Sequence, residues 1–164
     1  MPVYKAPTRD TRFILNEVLR LESLSHLEGF GAISTDVVDA IVEEGGRFTS
    51  EVLAPINISG DREGCTRHAD GSVTTPSGFR EAYDQFREQG LPHVLGMVME
   101  EFLSSANQAF AMYPGLTNGA IAAIRAKASP ELQATYLPKM ISGEWSGTMN
   151  LTEPHCGTDL GLIR

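Results

Sequence analysis

The densest run of chemically capable side chains lies between Leu151 and Asp159. It holds Thr152, Glu153, His155, Cys156, Thr158 and Asp159, interrupted by Pro154 and Gly157. The residues just before it, Trp145 to Thr152, have the Thr and aromatic enrichment of a strand. A strand that ends in a turn containing Pro and Gly exposes backbone N–H and C=O groups, and those groups need partners. Gly157 permits close approach to the backbone, and Thr158 offers a hydroxyl. One use for such a stretch is to bind a ligand through its main chain. Taken by itself, the plainer reading is a strand and turn held together by Asp159 and Glu153.

The other reactive side chains point to nothing sharper. His155 reads as a surface residue rather than a base. Cys156 reads as a small packing residue rather than a nucleophile. His26, His68 and His93 are scattered and show no H-x-x-x-H spacing. Cys65 and Cys156 form no C-x-x-C pair, so no zinc site is expected. We therefore expect no metal. The formal net charge of -8 argues against a nucleic-acid backbone or an anionic membrane as partner, because both require clustered Lys and Arg. A solvated acidic surface explains the charge more simply. Met1 to Phe13 contains no apolar core of a signal peptide, and no apolar run approaches the roughly 18 residues of a bilayer span. The expected setting is the cytoplasm, with both thiols free.

The elements that must position the turn are mainly helical. Hydrophobic residues make up 41% of the 164 residues, enough for an ordinary globular core. Phe13, Ile14, Val18 and Leu21 predict a first helix over 12–24. Ser34 or Thr35 caps a second helix, which carries Val37, Val38, Ile41, Val42, Phe48 and Val52. Gly45 and Gly46 weaken its middle by about 1 kcal/mol each relative to Ala, and Pro55 closes it. Residues 57–77 read mainly as surface loop, with room for a short hairpin. A third helix covers 79–88. The strongest helix runs from Leu91 to Phe110, with a broad apolar stripe from Leu95 to Phe110; Pro114 and Gly115 break it. A small-residue helix follows over 116–128. Ser129 caps a sixth, with Pro130 at its first position, and Leu132, Tyr136, Leu137 and Met140 face inward. The fold class is mostly α: a bundle of about six helices over 1–144, followed by a first strand over 145–164.

The wording of the turn also carries a resemblance. Leu151-Thr152-Glu153-Pro154-His155-Cys156-Gly157-Thr158-Asp159 resembles the acyl-CoA dehydrogenase signature L-T-E-P-x-A-G-S-D, with Cys for Ala and Thr for Ser. Tyr136-Leu137-Pro138-Lys139-Met140, followed by Gly143-Glu144-Trp145, is similar to the family's K-Y-L-P-x-L…G-E run. The two motifs stand in family order and spacing, and the likeness covers nearly the whole chain. The opening Tyr4-Lys5-Ala6-Pro7, Arg9-Asp10 and the later Tyr113-Pro114-Gly115-Leu116 resemble the branch that includes the 3-methylmercaptopropionyl-CoA dehydrogenases.

The resemblance implies a helical N-terminal domain, the start of a middle β-domain, and FAD as cofactor. It implies α,β-dehydrogenation of an acyl-CoA thioester, in which FAD carries the redox chemistry and the protein supplies orientation. It also implies an electron-transfer acceptor and a homo-oligomer. By position, Met149, Leu151, Thr152, Gly157 and Thr158 would bind the cofactor, and Thr158, Gly115 and Leu116 would face the acyl-CoA substrate. Placing Gly115 and Leu116 rests on rough position, and a helix break packed in the core explains them equally well.

Two departures qualify these expectations. The family's catalytic glutamate lies beyond Arg164, so none of these residues is catalytic; Glu100, Glu101 and Glu153 do not match it. The chain reads as a truncated member, inactive alone. The family's G-L-x-x-P-x-x-Y-G-G-x-G segment between the third and fourth helices is also reduced to Gly90-Leu91-Pro92, which makes the junction at Gln89 short. The competing expectation is a non-catalytic helical module that pairs with a full-length homologue. A di-iron bundle would need E-x-x-H pairs, and the chain has none.

Overall fold

The computed structural model describes residues 3–27, 30–31, 33–87 and 93–162. Seven α segments occur: α1 Thr8–Phe13, α2 Thr35–Phe48, α3 Ala54–Glu63, α4 Phe79–Arg87, α5 His93–Ala106, α6 Gln108–Lys127 and α7 Pro130–Ile141. A π turn at Thr49–Leu53 fuses α2 and α3 into one continuous rod, so these segments make six helices, as expected. The chain divides into two compact units, Met1–Ala111 and Met112–Arg164.

Ser34 caps α2 by accepting the Val37 N–H at 3.3 Å. Val38 and Val42, one turn apart, then face a core with Leu15, Leu95, Met99 and Phe102. Gly45 and Gly46 do more than weaken this helix. A Cβ at Gly45 would collide with the Met99 sulfur, and one at Gly46 with Thr8. The two glycines are what let α1 and α5 lie close against α2. Phe48, Phe79, Phe86 and Phe110 build a second cluster, with ring centroids 6.1–6.5 Å apart and mostly tilted or edge-on.

Several boundaries differ from the sequence reading. The first helix is shorter at its far end: α1 runs into a π turn at Ile14–Val18, and Arg20, in the left-handed region at φ 49°, separates it from a 3-10 turn at Leu21–Leu24. Pro55 does not end the second helix. It sits at the start of α3, just after the π turn, where the widened hydrogen-bond pattern has already shifted and the missing N–H is tolerated. The helix therefore continues through 57–63, which the sequence assigns to loop, and Gly60 lets the Phe79 ring approach to 2.5 Å from where a Cβ would stand. The short hairpin does form, Thr66–Arg67 pairing with Val73–Thr74.

The break between α5 and α6 falls at Asn107, not at Pro114. Asn107 is buried; its side chain accepts the Phe110 N–H at 3.1 Å and donates to the Leu53 carbonyl at 3.3 Å. A capping side chain with two buried partners outweighs the cost of Pro114, which α6 carries in its interior. The short junction at Gln89 lies outside the described residues.

In the second unit, Ser129 caps α7 by accepting the Leu132 N–H, with Pro130 at its start. Only Met140 of the expected inward face is buried. Leu137 is half-buried, while Leu132 and Tyr136 are exposed. The apolar residues of this helix are thus not all used in packing.

Candidate functional site: an open strand-like edge and its turn

The geometry begins at the end of α7. Gly143 adopts φ 73°, and the Trp145 N–H donates to the Lys139 carbonyl at 3.0 Å, which closes the helix. Trp145 packs 5.8 Å from the Tyr136 ring, and Lys139 Nζ stands 4.6 Å from its ring centroid. Two residues on, the Gly147 N–H donates to Thr117 Oγ1 at 3.1 Å. A Cβ at Gly147 would lie 2.6 Å from Ala120 Cβ and 3.1 Å from Thr117 Cα, so only glycine lets the chain cross α6 this closely. Thr117 is buried and also donates to the Tyr113 carbonyl at 2.9 Å.

The predicted strand over 145–152 has no strand partner among the described residues, and residues 146–152 carry no regular secondary structure. A strand exists only through its neighbours, and the described residues supply none. Among them, no hydrogen bond is made by the N–H or C=O groups of residues 148–152, nor by the hydroxyls of Thr152 and Thr158. Met149 is 67% exposed and Leu151 40%. The result is an open main-chain edge that carries two uncovered apolar side chains.

The turn closes on a pair of backbone bonds. The Glu153 N–H donates to the Cys156 carbonyl at 2.8 Å, and the Cys156 N–H donates back to Glu153 at 3.2 Å. Cys156 is buried, and His155 projects outward with its Nε2 3.5 Å from a Glu153 carboxylate oxygen. Asp159 does not hold this turn: its carboxylate accepts the Gly161 N–H at 3.0 Å and caps the next short turn. Thr152 lies beside Gly157, 3.7 Å from where a Cβ would stand.

The second unit therefore brings Thr152 and Gly157 together, with Met149 and Leu151 on the approach to them. Gly115 and Leu116 are half-buried within α6. Among the described residues, no hydrogen bond ties them to the 149–158 stretch. Sequence reading did not show that Thr117 and Gly147 meet and moor the wall to α6. A small hydroxyl on a helix and a lone glycine carry no signal until the two meet.

Residues 77–144 match the family model described as the N-terminal domain of acyl-CoA dehydrogenase. The chain is 40% identical over 98% of its length to a 3-methylmercaptopropionyl-CoA dehydrogenase of Ruegeria pomeroyi. It is 33% identical over 98% of its length to a butyryl-CoA dehydrogenase of Syntrophomonas wolfei. It is 27% identical over its full length to a broad-specificity linear acyl-CoA dehydrogenase of Mycobacterium tuberculosis. The chain spans about 30% of the length of these relatives. The first alignment runs over 175 positions against 164 residues, so at least 11 positions of that relative have no counterpart here. With the helical bundle, the turn signature and these relatives in agreement, the chain belongs to the acyl-CoA dehydrogenase family and corresponds to its helical N-terminal domain.

Proposed function

We propose that these residues form one wall of the flavin and acyl-CoA site of an FAD-dependent acyl-CoA dehydrogenase. The observation that carries this reading is the open edge of residues 148–152 beside the Thr152 hydroxyl, which has no partner among the described residues. A main chain with free donors and acceptors suits the polar edge of an isoalloxazine ring, and Met149 and Leu151 suit its apolar face. Thr152 holds that edge by its hydroxyl. Gly157 lets a phosphate-bearing chain approach the backbone, and Thr158 offers a hydroxyl to the pyrophosphate or the CoA arm. Gly115 and Leu116 line the acyl side. Bound against this wall, FAD would supply the hydride acceptor for the β-carbon. The chain's own contribution is to orient, to supply hydrogen bonds and to keep an apolar surface against the ring.

In this proposal the helical domain is 1–144 and the start of a β-domain is 145–164. The 40% identity to a 3-methylmercaptopropionyl-CoA dehydrogenase favours 3-methylthiopropanoyl-CoA as substrate. An electron-transfer acceptor, a homo-oligomeric assembly and a cytoplasmic setting complete the reading. Among the described residues, no helix is long and apolar enough to cross a membrane.

None of the 164 residues corresponds to the family's catalytic glutamate, and a polypeptide of these residues alone would offer the flavin only one wall. Titration of FAD into that polypeptide, followed by flavin fluorescence, should show weak binding that weakens further in Thr152→Ala. No acyl-CoA-dependent reduction of an electron acceptor should appear. Co-purification with stoichiometric yellow flavin, together with turnover, would overturn this reading. Fusion to the remaining domains of the Ruegeria pomeroyi relative should restore dehydrogenation, with 3-methylthiopropanoyl-CoA preferred over butyryl-CoA.

A further inference from the structure

We propose that the turn Glu153–Cys156 is a three-donor site for a thiophilic divalent cation of the zinc type, completed by water. Three donors of different kinds converge there: the Glu153 carboxylate, the His155 imidazole and the Cys156 thiol, all within 4.8 Å of one another. The backbone makes the convergence. The reciprocal Glu153–Cys156 bonds fold four residues into a closed turn, which places positions 153, 155 and 156 around one point.

The spacing suits a tetrahedral ion. Metal–donor bonds of about 2.0–2.3 Å require donors roughly 3.3–3.7 Å apart in a tetrahedral shell. His155 Nε2 and the Glu153 oxygen already stand at 3.5 Å. With all three donors within 4.8 Å of one another, closing them to a tetrahedral shell takes shifts of no more than about 1.5 Å. The donor set of thiolate, imidazole and carboxylate is borderline in softness, which selects zinc-like ions over calcium or magnesium. Three protein donors with a fourth position left to water is the arrangement of an open zinc site rather than a closed structural one. Cys156 is buried against the unit while Glu153 and His155 reach solvent, so an ion can enter from outside. Binding deprotonates Cys156 and releases its proton to solvent.

This site is independent of the flavin reading. It uses the side chains of Glu153, His155 and Cys156, whereas the flavin reading uses main-chain groups with Met149, Leu151, Thr152, Gly157 and Thr158. The test needs no flavin. Co2+ is titrated into the metal-free chain and absorption is followed. The expected result is one equivalent bound, with a thiolate-to-cobalt charge-transfer band and the visible bands of a tetrahedral ion, all displaced by Zn2+. Cys156→Ser should abolish the charge-transfer band, and His155→Ala should weaken binding by at least about tenfold. Cys65→Ser, which removes the other free thiol, should leave the band unchanged. If Cys156→Ser does not fold, His155→Ala decides, because that side chain is exposed. Absence of the band, its survival in Cys156→Ser, its loss in Cys65→Ser, or unchanged affinity in His155→Ala would each overturn the proposal.

Discussion

Thr117 shows how much one side chain can position. Its hydroxyl accepts the Gly147 N–H and donates to the Tyr113 carbonyl, and it is 6% exposed. Thr117→Val keeps the volume but strands the Gly147 N–H. We expect a loss of about 1–3 kcal/mol from this unit, read as a lower urea midpoint by the fluorescence of Trp145, the single tryptophan. Thr117→Ser should recover most of it. Tyr4 gives a pH-dependent case in the other unit. Burial raises its phenol pKa above the ordinary value, a hydrogen bond with Thr49 offsets part of the rise, and the nearby Glu101 charge adds a smaller upward push; its hydroxyl donates to the Phe102 carbonyl at 3.3 Å. The folded state therefore disfavours the phenolate. That stability is fully present below the unfolded value near 10 and is lost as pH rises through the higher folded value. The thermal midpoint should fall above about pH 10, and less steeply in Tyr4→Phe. Neither role was legible in the sequence, because a tyrosine or threonine is polar or packed according to what lies across from it.

At the scale of elements, the glycine pair in α2 offers a sharper test than its propensity cost. Gly45→Ala should cost more than the roughly 1 kcal/mol gained by propensity, because the new methyl meets the Met99 sulfur. In Met99→Ala the same change should become neutral or stabilising. A double-mutant cycle in urea checks the coupling, and additive single and double changes would show that the two do not touch. The sequence announced six helices through apolar spacing, Ser34 and Ser129 caps, and Pro130 at a helix start. It misplaced the ends at Pro55 and Pro114, because prolines stop helices only where nothing compensates for the lost hydrogen bond. A π turn compensates at Pro55, and the Asn107 cap moves the break upstream of Pro114.

For the whole molecule, charge is the property that needs no fold. With a net charge of -8 and an isoelectric point near 4.9, the chain should be least soluble around that pH and should recover on either side of it. Turbidity measured against pH at low salt checks this; a minimum near neutrality would contradict it. The two compact units divide the work. One carries the two aromatic and aliphatic cores, and the other carries the turn with its moorings. The open edge at 148–152 and the exposed Met149, Leu132 and Tyr136 belong to the second.

The amino-acid sequence by itself determined the family, the count of helices and the position of the signature turn. Those depend on local spacing, caps and wording that survive without knowledge of neighbours. Tertiary structure alone decided that Gly147 crosses α6 at Thr117, that the expected strand finds no strand partner among the described residues, and that Glu153, His155 and Cys156 converge. Each of these depends on what the folded chain brings across from a residue, and distance along the chain does not encode that.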